Sequence, residues 1–95
     1  AGKRMLSTMS PTIVFGPDRT AVIGTPGGSR IATMVLLGLL EFVDGKPAAE
    51  ITARHRYHHQ YLPDVISAEA DTFAREEIRA LQERGHTVND GERPW

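Results

Sequence analysis

The 95-residue sequence contains no cysteine. A disulfide scaffold, a thiolate metal site and a cysteine nucleophile are thereby excluded. It also lacks an excess of either charge: 11 Lys and Arg stand against 12 Asp and Glu, a net charge of −1. That balance offers no reason to expect nucleic acid or an anionic membrane as a partner. Long apolar runs are missing too. The longest extends only from Ile31 to Val43 and carries Thr33, Gly38 and Glu41, which is too short to span a bilayer. No signal peptide is read at Ala1-Gly2-Lys3-Arg4, since no continuous apolar stretch follows. A chain never targeted and a chain whose targeting segment has been removed both fit that reading. What is present is a globular composition, 40% hydrophobic and 24% charged. That is enough for one domain or part of one.

The pattern predicts mixed helices and strands. Thr12–Phe15 and Ala21–Ile23 are β-prone on either side of the turn signal Gly16-Pro17-Asp18, which predicts a hairpin with a loop of four or five residues. Gly24-Thr25-Pro26-Gly27-Gly28-Ser29 follows, with Ser29 placed to N-cap a helix from about Arg30 to Asp44. The apolar residues of that helix surround its axis, which predicts burial on all sides. A chain this short has little other material to cover it, so packing against further chain or another subunit is expected, self-association through helix 31–43 included. A short helix is expected over 47–53, with Pro47 in its first turn. Residues 54–64 are expected to be irregular, and 65–69 to form a strand. An amphipathic helix is expected over 72–84, with Ala74, Ile78 and Leu81 inward and Gly85 ending it. The segment around Glu69 and Asp71 reads as surface, and the tail runs on to Arg93-Pro94-Trp95.

Three groups of residues can carry chemistry. The glycine loop, between a strand and a helix, places backbone N–H groups at a helix N-terminus, where geometry and dipole favour an anion. A phosphate, a carboxylate or an oxyanion formed in acyl transfer would fit. The loop matches neither the dinucleotide fingerprint nor the phosphate-binding Gly-Lys-Ser/Thr loop. A tight turn that simply needs glycine explains it as well. Ser7, Thr8 and Ser10 form a hydroxyl cluster able to donate to a carboxylate without adding charge, although loop hydroxyls commonly bond only backbone or water. His55, His58 and His59 with Asp64 invite a metal reading, but H-x-x-H-H is not a zinc-protease spacing. Polar packing of a loop around Tyr57 and Tyr61 is the better reading, and no cofactor or metal is expected.

In order along the chain, Ser7-Thr8-Met9-Ser10-Pro11-Thr12, then Gly24-Thr25-Pro26-Gly27-Gly28-Ser29-Arg30-Ile31, then Arg56-Tyr57-His58-His59-Gln60-Tyr61-Leu62-Pro63-Asp64 resemble the small subunit of γ-glutamyltranspeptidase. That family shows S-S-M-S-P-T, G-S-P-G-G-S-R-I and R-F-H-H-Q-W-L-P-D. The resemblance implies an α+β chain, part of an N-terminal-nucleophile hydrolase αββα sandwich. It also implies transfer of the γ-glutamyl group of a glutathione-like donor to water, amino acids or peptides. Ser7 and Thr8 stand where the family binds the donor carboxylate, and Gly27 and Gly28 where it forms the oxyanion hole. Thr8 and Thr25 replace serines, and Arg54-His55 stands where Ala-Pro is common.

By the same resemblance, residues 1–95 are a single fragment of the small subunit. The threonine nucleophile upstream, the C-terminal end and the large subunit are expected elsewhere, so this chain alone is expected to be inactive. Two other readings remain: a related amide hydrolase such as a cephalosporin acylase, and a non-catalytic self-associating fragment.

Overall fold

The structure is a computed structural model describing residues 2–93. Ala1 and the last two residues, Trp95 of the tail included, lie outside the described residues. The chain divides into two units, residues 1–52 and residues 53–95.

In the first unit, β1 (Thr12–Phe15) and β2 (Thr20–Ile23) form an antiparallel hairpin with Phe15 opposite Thr20 and Thr12 opposite Ile23. The loop is the expected four residues, closed by Gly16 N–H donating to Arg19 O at 2.8 Å. Successive strand residues face opposite sides. Thr12, Val14, Ala21 and Ile23 are half-buried, while Ile13, Phe15 and Val22 are exposed. Both faces of this hairpin are therefore apolar, and only one is covered by the unit.

A 3-10 turn (Gly28–Arg30) leads into α1 (Ile31–Val43). Ser29 lies inside that turn and does not cap the helix. Arg30 takes the cap position, with no side-chain bond. The helix buries Ile31, Met34, Val35, Gly38 and Phe42, a stripe at the helical period. It leaves Leu36, Leu40 and Val43 at least half exposed. The expected all-round burial is thus not realised within the chain: the hairpin and the next helix cover one side only. At the C-terminal end of α1, the Arg19 guanidinium lies 4.4 Å from the centre of the Phe42 ring and donates to Phe42 O at 2.9 Å. A cation on the last carbonyls of a helix is favoured by the dipole. The next helix, α2 (Ala48–Ala53), begins one residue later than expected. Pro47 precedes it and accepts from Glu50 N–H and Ile51 N–H.

In the second unit, β3 (Tyr57–His58), β4 (Ile66–Glu69) and β5 (Val88–Glu92) form a sheet with β4 central, antiparallel to β3 and parallel to β5. β3 falls where irregular chain was expected, and β5 lies in the tail, to which no element was assigned. β3 has only two residues, and the polar β5 sequence Val-Asn-Asp-Gly-Glu carries no strand signal of its own. Both are strands because β4 presents them with unpaired backbone groups. Every residue of β4 is buried.

The helix α3 (Arg75–Glu83) begins later than expected. Thr72 spends its hydroxyl on Glu69 O at 2.7 Å, and Ala74 is the N-cap, its N–H accepted by the Glu77 carboxylate at 2.9 Å. That is the return half of a capping box. Ile78 and Leu81 are half-buried, and Arg75, Glu76, Arg79 and Glu83 are exposed, as the pattern predicts, whereas Ala74, expected inward, is exposed because it stands at the N-cap ahead of the helix. Mixed strands and helices make the chain α+β.

Candidate functional site

The site is built from two stretches of the first unit. One is the glycine loop. Gly27 has φ 144° and ψ 13°, and Gly28 has φ 57°, values that residues with a Cβ adopt only under strain. A Cβ on Gly27 would also lie 2.2 Å from Met34 Cε. These conformations turn both glycine carbonyls into the helix start: Arg30 N–H donates to Gly27 O at 3.1 Å, and Ile31 N–H donates to Gly28 O. In a planar trans peptide the carbonyl and the following N–H point oppositely. The N–H of Gly28, one of the two glycines expected at the oxyanion hole, therefore points opposite to Gly27 O, out of the helix start.

The other stretch is the hydroxyl string. Thr12 Oγ1 donates to Ser10 O at 2.9 Å, and Ser10 Oγ donates to Thr8 O at 2.8 Å. Each hydroxyl braces the carbonyl two residues back, which ties residues 8–11 to the start of β1 at Thr12. The Thr8 hydroxyl donates to Gly28 O, tying this string to the glycine loop across 20 positions of sequence. Ser7 Oγ accepts from Met9 N–H at 3.4 Å.

Leu6, Ser7, Thr8 and Met9 from the string, with Gly28, Ser29 and Ile31 from the loop and helix, line one open groove of about 230 Å³. Of the four residues singled out in the sequence, Ser7, Thr8 and Gly28 line it directly. Gly27 adjoins it through the Gly27–Gly28 peptide. Ser7, Gly27 and Gly28 are exposed, and Thr8 is half-buried.

The histidines occupy the second unit. His58 is buried and bonds Gln60 Oε1 through Nε2 at 2.8 Å. His59 Nδ1 accepts from Tyr61 N–H at 3.3 Å, which leaves Nε2 as the donor to Asp64 at 2.9 Å. Its ring also meets the edge of His86 at 6.1 Å. Among the described residues no three His, Asp or Glu side chains converge as a metal site would require.

Glu69 overturns the surface reading made for its segment. It is only 5% exposed, because it ends the central strand. Its carboxylate accepts Arg56 N–H at 3.2 Å and faces the Arg56 guanidinium at 3.9 Å, and Glu69 N–H donates to Arg56 O at 3.0 Å. A carboxylate at the end of the β-prone stretch Val65–Ala68 was the signal that could have found it.

The gamma-glutamyltranspeptidase family profile matches residues 1–94. The glutathione hydrolase proenzyme of Escherichia coli strain K12 is 44% identical over 88 residues, which cover 90% of this chain and 15% of that protein. The solved T380A mutant of Helicobacter pylori gamma-glutamyltranspeptidase superposes with a TM-score of 0.82 at 36% identity, covering 94% of this chain and 49% of that one. The Bacillus anthracis transpeptidase CapD superposes with a TM-score of 0.74 at 27% identity, covering 93% of this chain and 52% of that one. The fold is accordingly that of an N-terminal-nucleophile hydrolase segment. The chain spans about 15% of the length of the curated relatives it matches.

Proposed function

Because the chain belongs to the gamma-glutamyltranspeptidase family, we propose that it is the oxyanion-hole and donor-binding segment of an enzyme acting on glutathione-like donors. That enzyme moves the γ-glutamyl group to water, an amino acid or a peptide. The observation that carries this reading is the meeting of the hydroxyl string and the glycine loop on one groove, joined by Thr8 and Gly28.

The roles follow from the chemistry of each end of the donor. A hydroxyl from Ser7 and the Thr8 side chain serve the α-carboxylate end. The backbone N–H groups of Gly27 and Gly28 face the γ-carbonyl oxygen. As a nucleophile adds to the γ-carbon, that oxygen gains negative charge, and donors already aimed at it stabilise the tetrahedral state without reorganising. The nucleophile is an N-terminal threonine with its own α-amine as base, contributed from outside these 95 residues, as is the large subunit. The hydroxyl adds to the carbonyl, the amine leaves with a proton, and the resulting ester is taken by water or by an acceptor amine.

Turnover of a γ-glutamyl anilide by the full-length parent, with and without an acceptor dipeptide, tests this. The expected result is release of the aniline by the full-length protein and none by the 95-residue chain alone. Preference for a glutaryl amide over the γ-glutamyl one would favour an acylase of the cephalosporin type instead.

A second reading concerns the chain on its own. Leu36, Leu40 and Val43 are exposed at helical spacing on α1. In the parent this stripe is covered by further chain, and in the isolated polypeptide by a second copy. Sedimentation of the isolated chain over a range of concentrations checks the second statement: a monomer at every concentration rejects it.

A further inference from the structure

Two adjacent glycines are a weak place to hold a pair of hydrogen-bond donors. Neither has a Cβ, so the sterics of the chain do little to fix the backbone between them. Half a revolution of the Gly27–Gly28 peptide would put Gly27 O where Gly28 N–H stands, replacing a donor by an acceptor. The carbonyl ends of the two peptides that carry the glycine N–H groups are engaged. Thr25 Oγ1 donates to Pro26 O at 2.9 Å, and Arg30 N–H donates to Gly27 O at 3.1 Å. The Cα joining those peptides belongs to Gly27, at φ 144°, and what stands against it comes from α1. A Cβ on Gly27 would run into Met34 Cε, whereas nothing lies within 4 Å of where a Cβ on Gly28 would be. Met34 is 7% exposed and shares the buried stripe of the helix with Ile31 and Val35. Its long unbranched side chain suits such a gap. Its methyl group takes, from the first turn of α1, the space that a side chain of Gly27 would have filled.

We infer that Met34 is a positioning residue for the oxyanion hole. Its methyl group limits the backbone of Gly27 as a Cβ would, and so keeps the N–H groups on either side of that Cα aimed at the developing oxyanion. This rests on the oxyanion-hole assignment made above and deepens it. Donors that are free to turn away must be reoriented during the reaction, and their advantage is lost. The γ-carbonyl oxygen gains its charge only in the tetrahedral state, so the brace acts on kcat more than on donor binding.

The test uses the full-length enzyme with Met34→Leu and Met34→Ala. Leucine keeps the apolar volume of the site but ends one atom short of Cε, so it separates filling from reach. Steady-state kinetics on a γ-glutamyl anilide should show Met34→Leu losing about tenfold in kcat with KM within about twofold. Its thermal midpoint should stay close to wild type, whereas Met34→Ala should lose both kcat and midpoint. Amide hydrogen exchange over residues 24–30 should be faster than wild type in both variants, with exchange over residues 36–43 unchanged in Met34→Leu.

The inference is overturned if Met34→Leu matches wild type in kcat and in loop exchange while Met34→Ala loses kcat in step with its midpoint, because Met34 would then only fill the core. It is overturned equally if Met34→Leu raises KM and leaves kcat unchanged. Faster loop exchange in Met34→Leu, with kcat and KM both unchanged, supports the brace on Gly27 and rejects the oxyanion assignment. The two failures are therefore separable.

Discussion

At the scale of single residues, Gly27 and Gly28 differ in why they must be glycine. Gly27 sits at φ 144°, and a Cβ there would run into Met34 Cε. Gly28 sits at φ 57° with nothing within 4 Å of where a Cβ would be. The first conformation is closed to other residues, and the second is a left-handed one that a side chain occupies at modest cost. Gly27→Ala should destabilise the protein by about 3 kcal/mol and Gly28→Ala by about 1 kcal/mol, an order that denaturant unfolding can read directly. Glu69 supplies a second case. Glu69 is buried while the Arg56 side chain stays partly solvated, so Glu69→Ala chiefly removes the acceptor of Arg56 N–H and should cost about 1–2 kcal/mol. Glu69→Gln should cost less, since an amide oxygen still accepts Arg56 N–H. Equal losses for the two variants would reject the buried-acceptor account.

At the scale of elements, α1 and the β1–β2 hairpin each show an apolar face to the other and a second apolar face to nothing within their unit. The all-round apolar pattern of α1 was legible in the sequence, and so was the expectation that covering chain was short. Which side the hairpin takes was not legible, because helical periodicity disappears when every face is apolar. Gly38 marks the contact: it is buried, and a Cβ would meet Ile51 Cγ2 at 3.6 Å and Ile23 Cδ1 at 3.8 Å, ordinary van der Waals separations. Gly38→Ala should therefore stabilise the helix by about 0.5–1 kcal/mol, measured as a higher denaturant midpoint. A loss of stability would mean that the helix and its neighbours sit closer than described.

On the outward side, Leu40→Glu should reduce self-association of the isolated chain in sedimentation. In the full-length enzyme it should destabilise, because a charge would then be buried.

At the scale of the whole molecule, the chain has surprisingly little interior for its apolar content. Among the described residues Ala68 alone reaches 0% exposure, and no larger side chain is fully buried. Folded domains of comparable size normally enclose several such side chains. The exposed set includes Phe15, Val22, Leu36, Leu40 and Val43, which belong to regular elements and are not loop residues scattered singly. The isolated 95-residue chain should accordingly bind the dye ANS in native buffer, and the full-length enzyme should not, a comparison made by fluorescence at equal molar concentration. Equal, weak fluorescence in both would show that these faces are satisfied without further chain.

The amino-acid sequence alone determined the hairpin, the glycine loop, both longer helices and the family, because each is written in contiguous residues: turn signals, glycines where φ is positive, apolar spacing and three ordered motifs. Tertiary structure alone decided three other matters. It made strands of Tyr57–His58 and Val88–Glu92 by laying them beside β4. It buried Glu69 against Arg56, 13 positions away. It brought the Thr8 hydroxyl to Gly28 O, 20 positions away. Hydrogen bonds of that kind depend on where the folded backbone returns to itself, and local preference carries no record of that distance.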